Sequence, residues 1–119
     1  MKRKILLIDD DKELSEEMAD FLAAEGYIVQ TAFDGLQAER FINKYTYDII
    51  LLDLKMPALN GLDLLKRLKK IDLKTKIILI SGKPFPEKEI KKHGLLPMIS
   101  SIIRKPYDIR KFLNTIELK

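Results

Sequence analysis

Five short runs of nearly continuous aliphatic residues impose the strongest constraint on the fold of this 119-residue chain. Segments such as Ile-Ile-Leu-Leu and Ile-Ile-Leu-Ile lack the polar alternation of a strand with one face in water, so both faces of these strands should be covered. Their length and isoleucine content favour strand over helix. They predict a parallel sheet with strands at residues 5–8, 27–32, 49–52, 77–80 and 99–103.

Helical patterns alternate with these runs. Leu14, Met18 and Leu22 share one face of a first helix, and acidic residues occupy the other face. Further helices are predicted around residues 36–42, 62–68 and 109–116, with a short one at 87–93 where prolines crowd the sequence. This order, with right-handed crossovers, gives an α/β fold in which helices cover both faces of an open five-stranded parallel sheet. Because no repeat or linker interrupts it, we expect one domain over residues 1–119.

Composition narrows the functional classes. The absence of cysteine excludes disulfide scaffolds, thiolate metal sites and cysteine nucleophiles. No apolar run approaches the roughly 20 residues of a membrane span, so we expect a cytoplasmic protein without membrane attachment. Residues 1–65 hold 13 acidic and 7 basic side chains, whereas residues 66–119 hold 5 acidic and 15 basic ones. This division, without a DNA-binding motif, argues against direct nucleic-acid binding and offers helices three and four as a cationic docking face.

Chemically active residues follow the predicted strands where these end. They are Asp9, Asp10 and Asp11 after the first strand, Asp53 after the third, Ser81 after the fourth and Lys105 after the fifth. In open α/β sheets, ligands bind at this carboxyl edge. One aspartate is enough to cap the following helix, but several acids close together repel each other unless a cation or proton neutralises them. Oxygen donors without histidine or cysteine suit Mg²⁺, with Mn²⁺ as the alternative ion.

The order of these motifs identifies a family resemblance. The chain resembles the receiver domain of two-component response regulators over essentially its whole length. Four motifs carry the resemblance, in this order: Ile-Leu-Leu-Ile-Asp-Asp-Asp, Leu-Leu-Asp-Leu-Lys-Met-Pro-Ala-Leu-Asn-Gly, Ser-Gly and Lys-Pro-Tyr-Asp. The resemblance implies a flavodoxin-like sheet with strand order 2-1-3-4-5.

The resemblance also implies a role for each site residue. Asp53 would attack the phosphorus of a phosphohistidine and form an acyl phosphate. Asp9, Asp10 and Asp53 would hold Mg²⁺ together with the backbone carbonyl of Lys55, Asp9 largely through water. Lys105 would pair with Asp53 at rest and with the phosphoryl group afterwards, and its peptide bond to Pro106 would be cis. Ser81 would donate a hydrogen bond to the phosphoryl group and move toward it. Asp11 would serve only the start of the helix.

A receiver of this kind is a switch whose only catalysis is its own phosphorylation and dephosphorylation. Its implied donor is a sensor histidine kinase or a histidine phosphotransferase. Its output is partner binding through the face formed by helix four, strand five and helix five, or relay of the phosphate. The resemblance leaves the output protein unknown and both a monomer and a phosphorylation-dependent homodimer open.

The sequence departs from the family pattern at one important position. The family usually has an aromatic residue three positions before the lysine, where this chain has Ile102, and Tyr107 is a different position expected to pack beside the site. Lys55 and Lys83 flank the expected phosphoryl position, and we hypothesise that they change its lifetime. Gly61 is expected to take a backbone conformation closed to other residues.

Two other functions share these residue types. A haloacid-dehalogenase-like aspartyl phosphatase also uses an aspartyl nucleophile, a hydroxyl, a lysine and Mg²⁺. Such enzymes carry a general acid two residues after the nucleophile, and that position is Lys55 here. A phosphorylation-silent binding module would keep the fold without forming the acyl phosphate.

Overall fold

Strands and helices alternate along the chain as the apolar runs predict. The computed structural model describes residues 3–54, 61–70, 74–82 and 86–117. Its strands are β1 (Lys4–Ile8), β2 (Ile28–Ala32), β3 (Ile49–Asp53), β4 (Lys76–Ser81) and β5 (Ile99–Arg104). Its α-helices are α1 (Lys12–Ala24), α2 (Gly35–Lys44), α3 (Gly61–Leu68), α4 (Pro86–Lys92) and α5 (Ile109–Glu117), and a 3-10 turn at Leu96–Met98 precedes β5.

The five strands form one parallel sheet in the order β2-β1-β3-β4-β5. This confirms the flavodoxin-like order that the family resemblance implies. The central strand β3 is buried along its whole length, and β1 is buried at every residue after Lys4. The edge strand β2 is more exposed. Near-continuous apolarity therefore marks the inner strands, because helices cover both of their faces.

Two apolar layers hold the helices against the sheet. One layer joins α2, α3 and α4 to the sheet, and the other joins α1 and α5 to the opposite face. Phe112 of α5 is fully buried in the second layer. Burying one such side chain stabilises the fold by roughly 1.5–3 kcal/mol, so the summed burial fixes the strand register. The register in turn decides which residues emerge at the carboxyl edge.

The helix ends follow simple capping chemistry. Asp11 precedes α1, and its Oδ1 accepts a hydrogen bond of 3.1 Å from the backbone N–H of Leu14, which confirms its role at the helix start. Gly26, just past α1, has a φ of +100°, a conformation that favours glycine. None of the described helices is both long and apolar enough to cross a membrane.

Gly61 differs from expectation. Of the described glycines, only Gly26 and Gly94 have positive φ, so the expectation that Gly61 takes a conformation closed to other residues is wrong. Space is the reason for glycine here instead. A Cβ on Gly61 would lie 2.9 Å from the Leu54 Cα and 3.2 Å from the Asp53 carbonyl oxygen. The missing side chain lets α3 begin directly against the end of β3.

We predict that Gly61→Ala lowers the free energy of unfolding by about 1–3 kcal/mol, because backbone must move to admit the methyl group. Gly82→Ala is the matched control, since its Cβ would meet nothing closer than 3.8 Å. Urea denaturation of both variants measures the difference. Equal stability of Gly61→Ala and the unsubstituted protein would show that the close approach does not constrain the fold.

Candidate functional site

The parallel register brings the sequence-predicted residues to one edge of the sheet. Ile8 of β1 pairs with Leu52 of β3, so Asp9 and Asp53 emerge side by side. Ser81 ends β4 and pairs with Arg104, the residue before Lys105. A cavity of about 450 Å³ lies at the opposite edge of the sheet and is lined by none of these residues. The candidate site is therefore identified by the chemistry of its side chains and not by the presence of a cavity.

Three carboxylates form a compact group at this edge. Asp9, Asp10 and Asp53 each offer one oxygen, and these oxygens lie within 4.8 Å of one another. Asp9 and Asp53 are 8% and 5% exposed, whereas Asp10 is exposed. The Asp9 Oδ1 accepts a hydrogen bond of 3.0 Å from the backbone N–H of Asp11. Like charges at such separations repel each other, so the cluster attracts cations.

The donor set fits a small divalent ion. All three side chains provide hard oxygen donors, which Mg²⁺ prefers. The capping explanation accounts for Asp11, whose carboxylate faces the α1 backbone, and leaves Asp9, Asp10 and Asp53 as a separate group. The sequence therefore predicted the acidic cluster correctly. Lys55, whose carbonyl was expected to join it, lies outside the described residues, as do Met56, Pro57 and Lys83.

Lys105 links the last strand to this cluster. Its Nζ donates a hydrogen bond of 2.9 Å to the Asp53 Oδ2, so the expected ion pair is present. Burial alone would lower the pKa of the Lys105 ammonium, but the hydrogen bond and charge of Asp53, with Asp9 and Tyr107, raise it overall. The lysine therefore remains charged at neutral pH. The Lys105–Pro106 peptide bond is cis, as the resemblance implies.

The electrostatics of Asp9 show the cost of assembling the cluster. Burial raises the pKa of this carboxyl, and the charges of Asp53 and Asp10 raise it further. The Asp11 N–H and the Lys105 ammonium oppose this by stabilising the carboxylate. Because the net direction is upward, ionised Asp9 is less favourable in the folded protein than in the unfolded chain.

The remaining expected residues lie around this group. Ser81 is 2% exposed at the end of β4, beside the cluster. Ile102 is half-buried in β5 and packs against the layer formed with α2, α3 and α4, where its branched aliphatic side chain offers no hydroxyl.

Two contacts near the site have no clear signal in the sequence. The Arg104 Nη2 lies 2.5 Å from the Glu87 Oε2, which joins the end of β5 to the first turn of α4. Tyr107 stacks on Phe112 with ring centroids 5.0 Å apart and an interplanar angle of 21°. A spacing of five residues across the start of a helix follows neither strand nor helix periodicity, so only the folded chain reveals this stack.

Comparison with known families decides the identity of the fold. The family model for the response regulator receiver domain matches residues 5–117. The chain belongs to this family. It is therefore a receiver domain of two-component signalling, and the receiver interpretation of the sequence is confirmed.

Relatives of this receiver include proteins of different length. It is 32% identical to sporulation initiation phosphotransferase F of Bacillus subtilis, over 98% of this chain and 93% of that one. It is 34% identical to the transcriptional regulatory protein DltR of Streptococcus agalactiae, over 98% of this chain but 51% of that protein. The chain thus spans about half the length of the regulators that it matches first. This leaves the expectation of no nucleic-acid contact untested for the whole protein.

Solved structures share the architecture. The receiver domain of the Francisella response regulator 1452 superposes with a TM-score of 0.87 at 32% identity, covering 98% of this chain and 95% of that one. The response regulator TrrA of Thermotoga maritima, solved in complex with Mg²⁺ and BeF, has a TM-score of 0.83 at 24% identity, covering 99% and 98%. At that identity the second likeness shows the fold alone.

We predict that Asp9→Asn raises the free energy of unfolding by on the order of 1 kcal/mol in the presence of a chelator. The amide can still accept the Asp11 N–H bond, while the buried negative charge is removed. Because the folded-state pKa of Asp9 is raised, its contribution is most favourable below the unfolded pKa of about 4 and is lost as pH rises through the folded value. The gain should therefore be present at pH 7 and absent at pH 3.

The control is Glu13→Gln, which removes an exposed carboxylate from the first turn of α1. Urea denaturation with chelator and then with Mg²⁺ should show stabilisation by Mg²⁺ in the unsubstituted protein and in Glu13→Gln, and less in Asp9→Asn. Identical Mg²⁺ responses in all three proteins would contradict the metal assignment.

Proposed function

We propose that Asp53 is the phosphoacceptor of this receiver, that Lys105 and Ser81 assist the transfer, and that Asp9 and Asp10 hold a divalent ion with Asp53. The single observation that supports this most strongly is the position of the Asp53 carboxylate. It lies within the three-carboxylate cluster and pairs with the Lys105 ammonium at 2.9 Å. An acceptor needs both neighbours, because an anionic nucleophile must approach an anionic phosphoryl group.

The transfer uses the electron pair of one Asp53 oxygen. This oxygen attacks phosphorus, an O–P bond forms, and the P–N bond to the donor imidazole breaks with its electron pair going to the imidazole. Lys105 is already beside the acceptor, so its ammonium can follow the charge from Asp53 to the phosphoryl oxygens. The buried hydroxyl of Ser81 is a donor for a second phosphoryl oxygen.

The metal is part of the proposal. Asp9, Asp10 and Asp53 would hold Mg²⁺, and the backbone carbonyl of Lys55 is a further proposed ligand outside the described residues. When bound, the ion would offset the negative charge of the carboxylates and of the phosphoryl group. The donor chemistry also admits Mn²⁺. The complex of TrrA with Mg²⁺ and BeF is consistent with this assignment.

The output is proposed to pass through α4, β5 and α5. Ser81 and Arg104 are register partners at the end of β4 and β5, and Arg104 contacts Glu87 of α4. A movement of Ser81 toward a phosphoryl group would therefore be transmitted to α4 through Arg104 and Glu87. Ile102 has no ring to rotate, so coupling by an aromatic swing is not available at its position.

Receivers interact with histidine kinases or histidine phosphotransferases, which provide the phosphate. The similarity to a sporulation phosphotransferase along nearly its whole length favours relay or partner binding as the output of this domain. The transcriptional regulators among the relatives are about twice as long as this chain. We propose that any DNA contact in such an arrangement lies outside the receiver, and we propose no membrane contact for it. Monomer and phosphorylation-dependent homodimer both remain compatible with this function.

The family match favours the receiver over a haloacid-dehalogenase-like phosphatase. We propose that turnover is limited to self-phosphorylation and self-dephosphorylation. The substitution of a lysine for the phosphatase's general acid two residues after Asp53 supports this. Sustained phosphate release from p-nitrophenyl phosphate would contradict it.

We predict that acetyl phosphate and Mg²⁺ add one phosphoryl group to the protein and that Asp53→Asn abolishes the addition. An amide is a poor nucleophile, whereas the rest of the site is unchanged. Intact mass spectrometry measures the adduct. The control is Asp20→Asn, an exposed position on α1 that should keep full phosphorylation.

Lys105→Ala should slow the addition at least tenfold, because the ammonium next to the acceptor is lost. Chelation should also suppress it. An adduct that persists in Asp53→Asn would exclude Asp53 as the acceptor. No adduct in the unsubstituted protein with either acetyl phosphate or phosphoramidate would instead support the phosphorylation-silent binding module.

We also predict that residues 1–119 do not bind duplex DNA with appreciable affinity at about 150 mM salt. The acidic carboxyl edge repels phosphates, and the sequence contains no recognised DNA-binding motif among its basic residues. Fluorescence anisotropy against salt concentration tests this. A steep loss of affinity with rising salt, starting from tight binding, would revive nucleic-acid binding by this domain.

A further inference from the structure

The cavity at the amino edge of the sheet has no part in the phosphorylation chemistry. This amino-edge cavity has a volume of about 450 Å³ and is lined mainly by residues 45–48 before β3 and residues 74–76 at the start of β4, with Arg3 just before β1. Its volume lies within the range of about 300–1,000 Å³ that small-molecule sites occupy. Because the acidic cluster lies at the carboxyl edge, a ligand in this cavity would be separate from phosphoryl transfer.

Hydrogen bonds fix the walls of the amino-edge cavity. The Asp48 N–H donates to the Lys4 carbonyl at 2.8 Å, and the Asp48 Oδ2 accepts from the Lys4 N–H at 2.7 Å. The Lys76 N–H donates to the Asp48 carbonyl at 3.0 Å, and the Thr75 hydroxyl donates to the Tyr47 carbonyl at 2.7 Å. These bonds tie the segment before β3 to both neighbouring strands. Since the walls are already ordered, a ligand pays little entropy to assemble them.

Positive charge dominates the lining of the amino-edge cavity. Arg3, Lys74 and Lys76 contribute three cations, whereas Asp48 is the one acidic residue among the described lining residues. The three positive charges against one negative charge leave a net charge of +2. The Asp48 carboxylate already accepts the Lys4 N–H, so its role in the wall is structural. A concave surface with charge mainly of one sign concentrates ligands of the opposite sign.

The cations keep their charge free for a ligand. Lys74 and Lys76 are exposed, and neither side chain forms a hydrogen bond or ion pair with a residue that the structure describes. The half-buried Arg3 donates from its Nη1 to the Ile116 carbonyl at 3.2 Å. This acceptor is neutral, so the guanidinium retains its charge and its other N–H donors. Three cations therefore border one cavity without a carboxylate partner in the described part of the chain.

An aromatic ring gives the cavity a second recognition element. Tyr45 is 48% exposed although it lines the cavity, so about half of this side chain is uncovered. Phe41 is tilted against the Tyr45 ring with the centroids 6.5 Å apart, and the Lys44 Nζ lies 5.5 Å from the centroid of the same ring. These contacts hold the ring beside the cations. The buried side chains of Ile42 and Ile50 complete the apolar part of the lining. Such a surface suits a planar ring, because aromatic side chains stack on any base.

We propose that the amino-edge cavity binds a mononucleotide, with Arg3, Lys74 and Lys76 holding its phosphate and the Tyr45 ring packing against its base. A phosphate monoester carries a charge of about −1.5 to −2 at pH 7, which matches the net charge of the lining. A monocarboxylate would balance only half of that charge, and a phosphate without a ring would leave Tyr45 without a contact. The proposal uses no residue of the carboxyl edge, so it stands or falls separately from the phosphoacceptor role of Asp53.

The test is an NMR titration of the ¹⁵N-labelled chain with AMP, GMP, CMP and UMP, without Mg²⁺ or a phosphodonor. We expect saturable shifts of the amides of residues 45–48 and 74–76, and none at Asp53 or Lys105. AMP should bind at least tenfold more tightly than adenosine or inorganic phosphate, because each of these lacks one of the two recognised groups. No saturable shift with any of the four nucleotides, shifts confined to the carboxyl edge, or equal affinity for AMP and inorganic phosphate would overturn the proposal.

A charge variant tests the phosphate-binding residues. The double substitution Lys74→Ala and Lys76→Ala keeps the Lys76 N–H bond to the Asp48 carbonyl and should weaken AMP binding at least tenfold. The matched control is Lys66→Ala with Lys70→Ala, which removes the same charge from exposed positions in and just after α3. It should leave the affinity within about twofold. The same loss in both double variants would reveal general attraction to a basic protein and would overturn the assigned site.

A ring variant tests the contact with the base. Tyr45→Leu removes the aromatic ring but keeps an apolar side chain, so it should weaken AMP binding about three- to tenfold or more and leave the binding of inorganic phosphate unchanged. Unfolding by urea, compared with the unsubstituted protein, verifies that the variant is folded. AMP affinity that is unchanged in folded Tyr45→Leu would contradict the proposed contact with the base.

Discussion

The repulsion among three aspartates at the end of an apolar sheet is the constraint on which the rest of the site depends. Their oxygens lie within 4.8 Å of one another, and two of the three side chains are almost fully buried. Isolated in this way, they would disfavour the folded state. The structure keeps them together because the buried strands β1 and β3 fix the backbone positions from which they project. The apolar core thus holds the three carboxylates in an arrangement that their mutual repulsion opposes.

The repulsion among the three carboxylates explains why the site favours positively charged groups. One ammonium, that of Lys105, offsets part of the charge through Asp53, and a divalent ion would offset more. The raised pKa of Asp9 shows that burial and its acidic neighbours outweigh the groups that stabilise its charge. A site with an excess of negative charge takes up a metal readily, and the metal then permits an anionic phosphoryl group to approach. Charge balance, more than shape, is therefore the physical basis for proposing metal binding and phosphoryl transfer at this edge.

Much of this could be predicted from the sequence, because the signals are local and strong. Continuous apolarity marks the buried strands, and residues after parallel strands must share an edge, so Asp53 and Lys105 could be placed at one edge before any coordinates. Their ion pair was implied by the family resemblance. Helix capping explained one of the three aspartates after β1, and the family resemblance indicated that this one is Asp11, whose Oδ1 accepts from the Leu14 N–H. The strand order came from family resemblance, since hydrophobic pattern alone does not determine which strands are neighbours.

Other features depend on contacts that sequence spacing does not encode. Gly61 was expected to have an unusual φ, yet glycine is needed there because Leu54 and Asp53 come within contact distance of its missing Cβ. A left-handed backbone conformation and a close backbone approach both favour glycine, so the sequence alone cannot separate these two reasons. The Arg104–Glu87 contact and the stack of Tyr107 on Phe112 likewise arise only when α4 and α5 pack beside β5.

The identity of the phosphorylated residue tests the central claim most directly. Borohydride reduction of the protein after treatment with acetyl phosphate and Mg²⁺ converts an aspartyl phosphate to homoserine, which peptide mass spectrometry can locate. The account predicts homoserine at position 53 alone, dependent on Mg²⁺. Homoserine at Asp9, Asp10 or any other aspartate, with Asp53 intact, would contradict it.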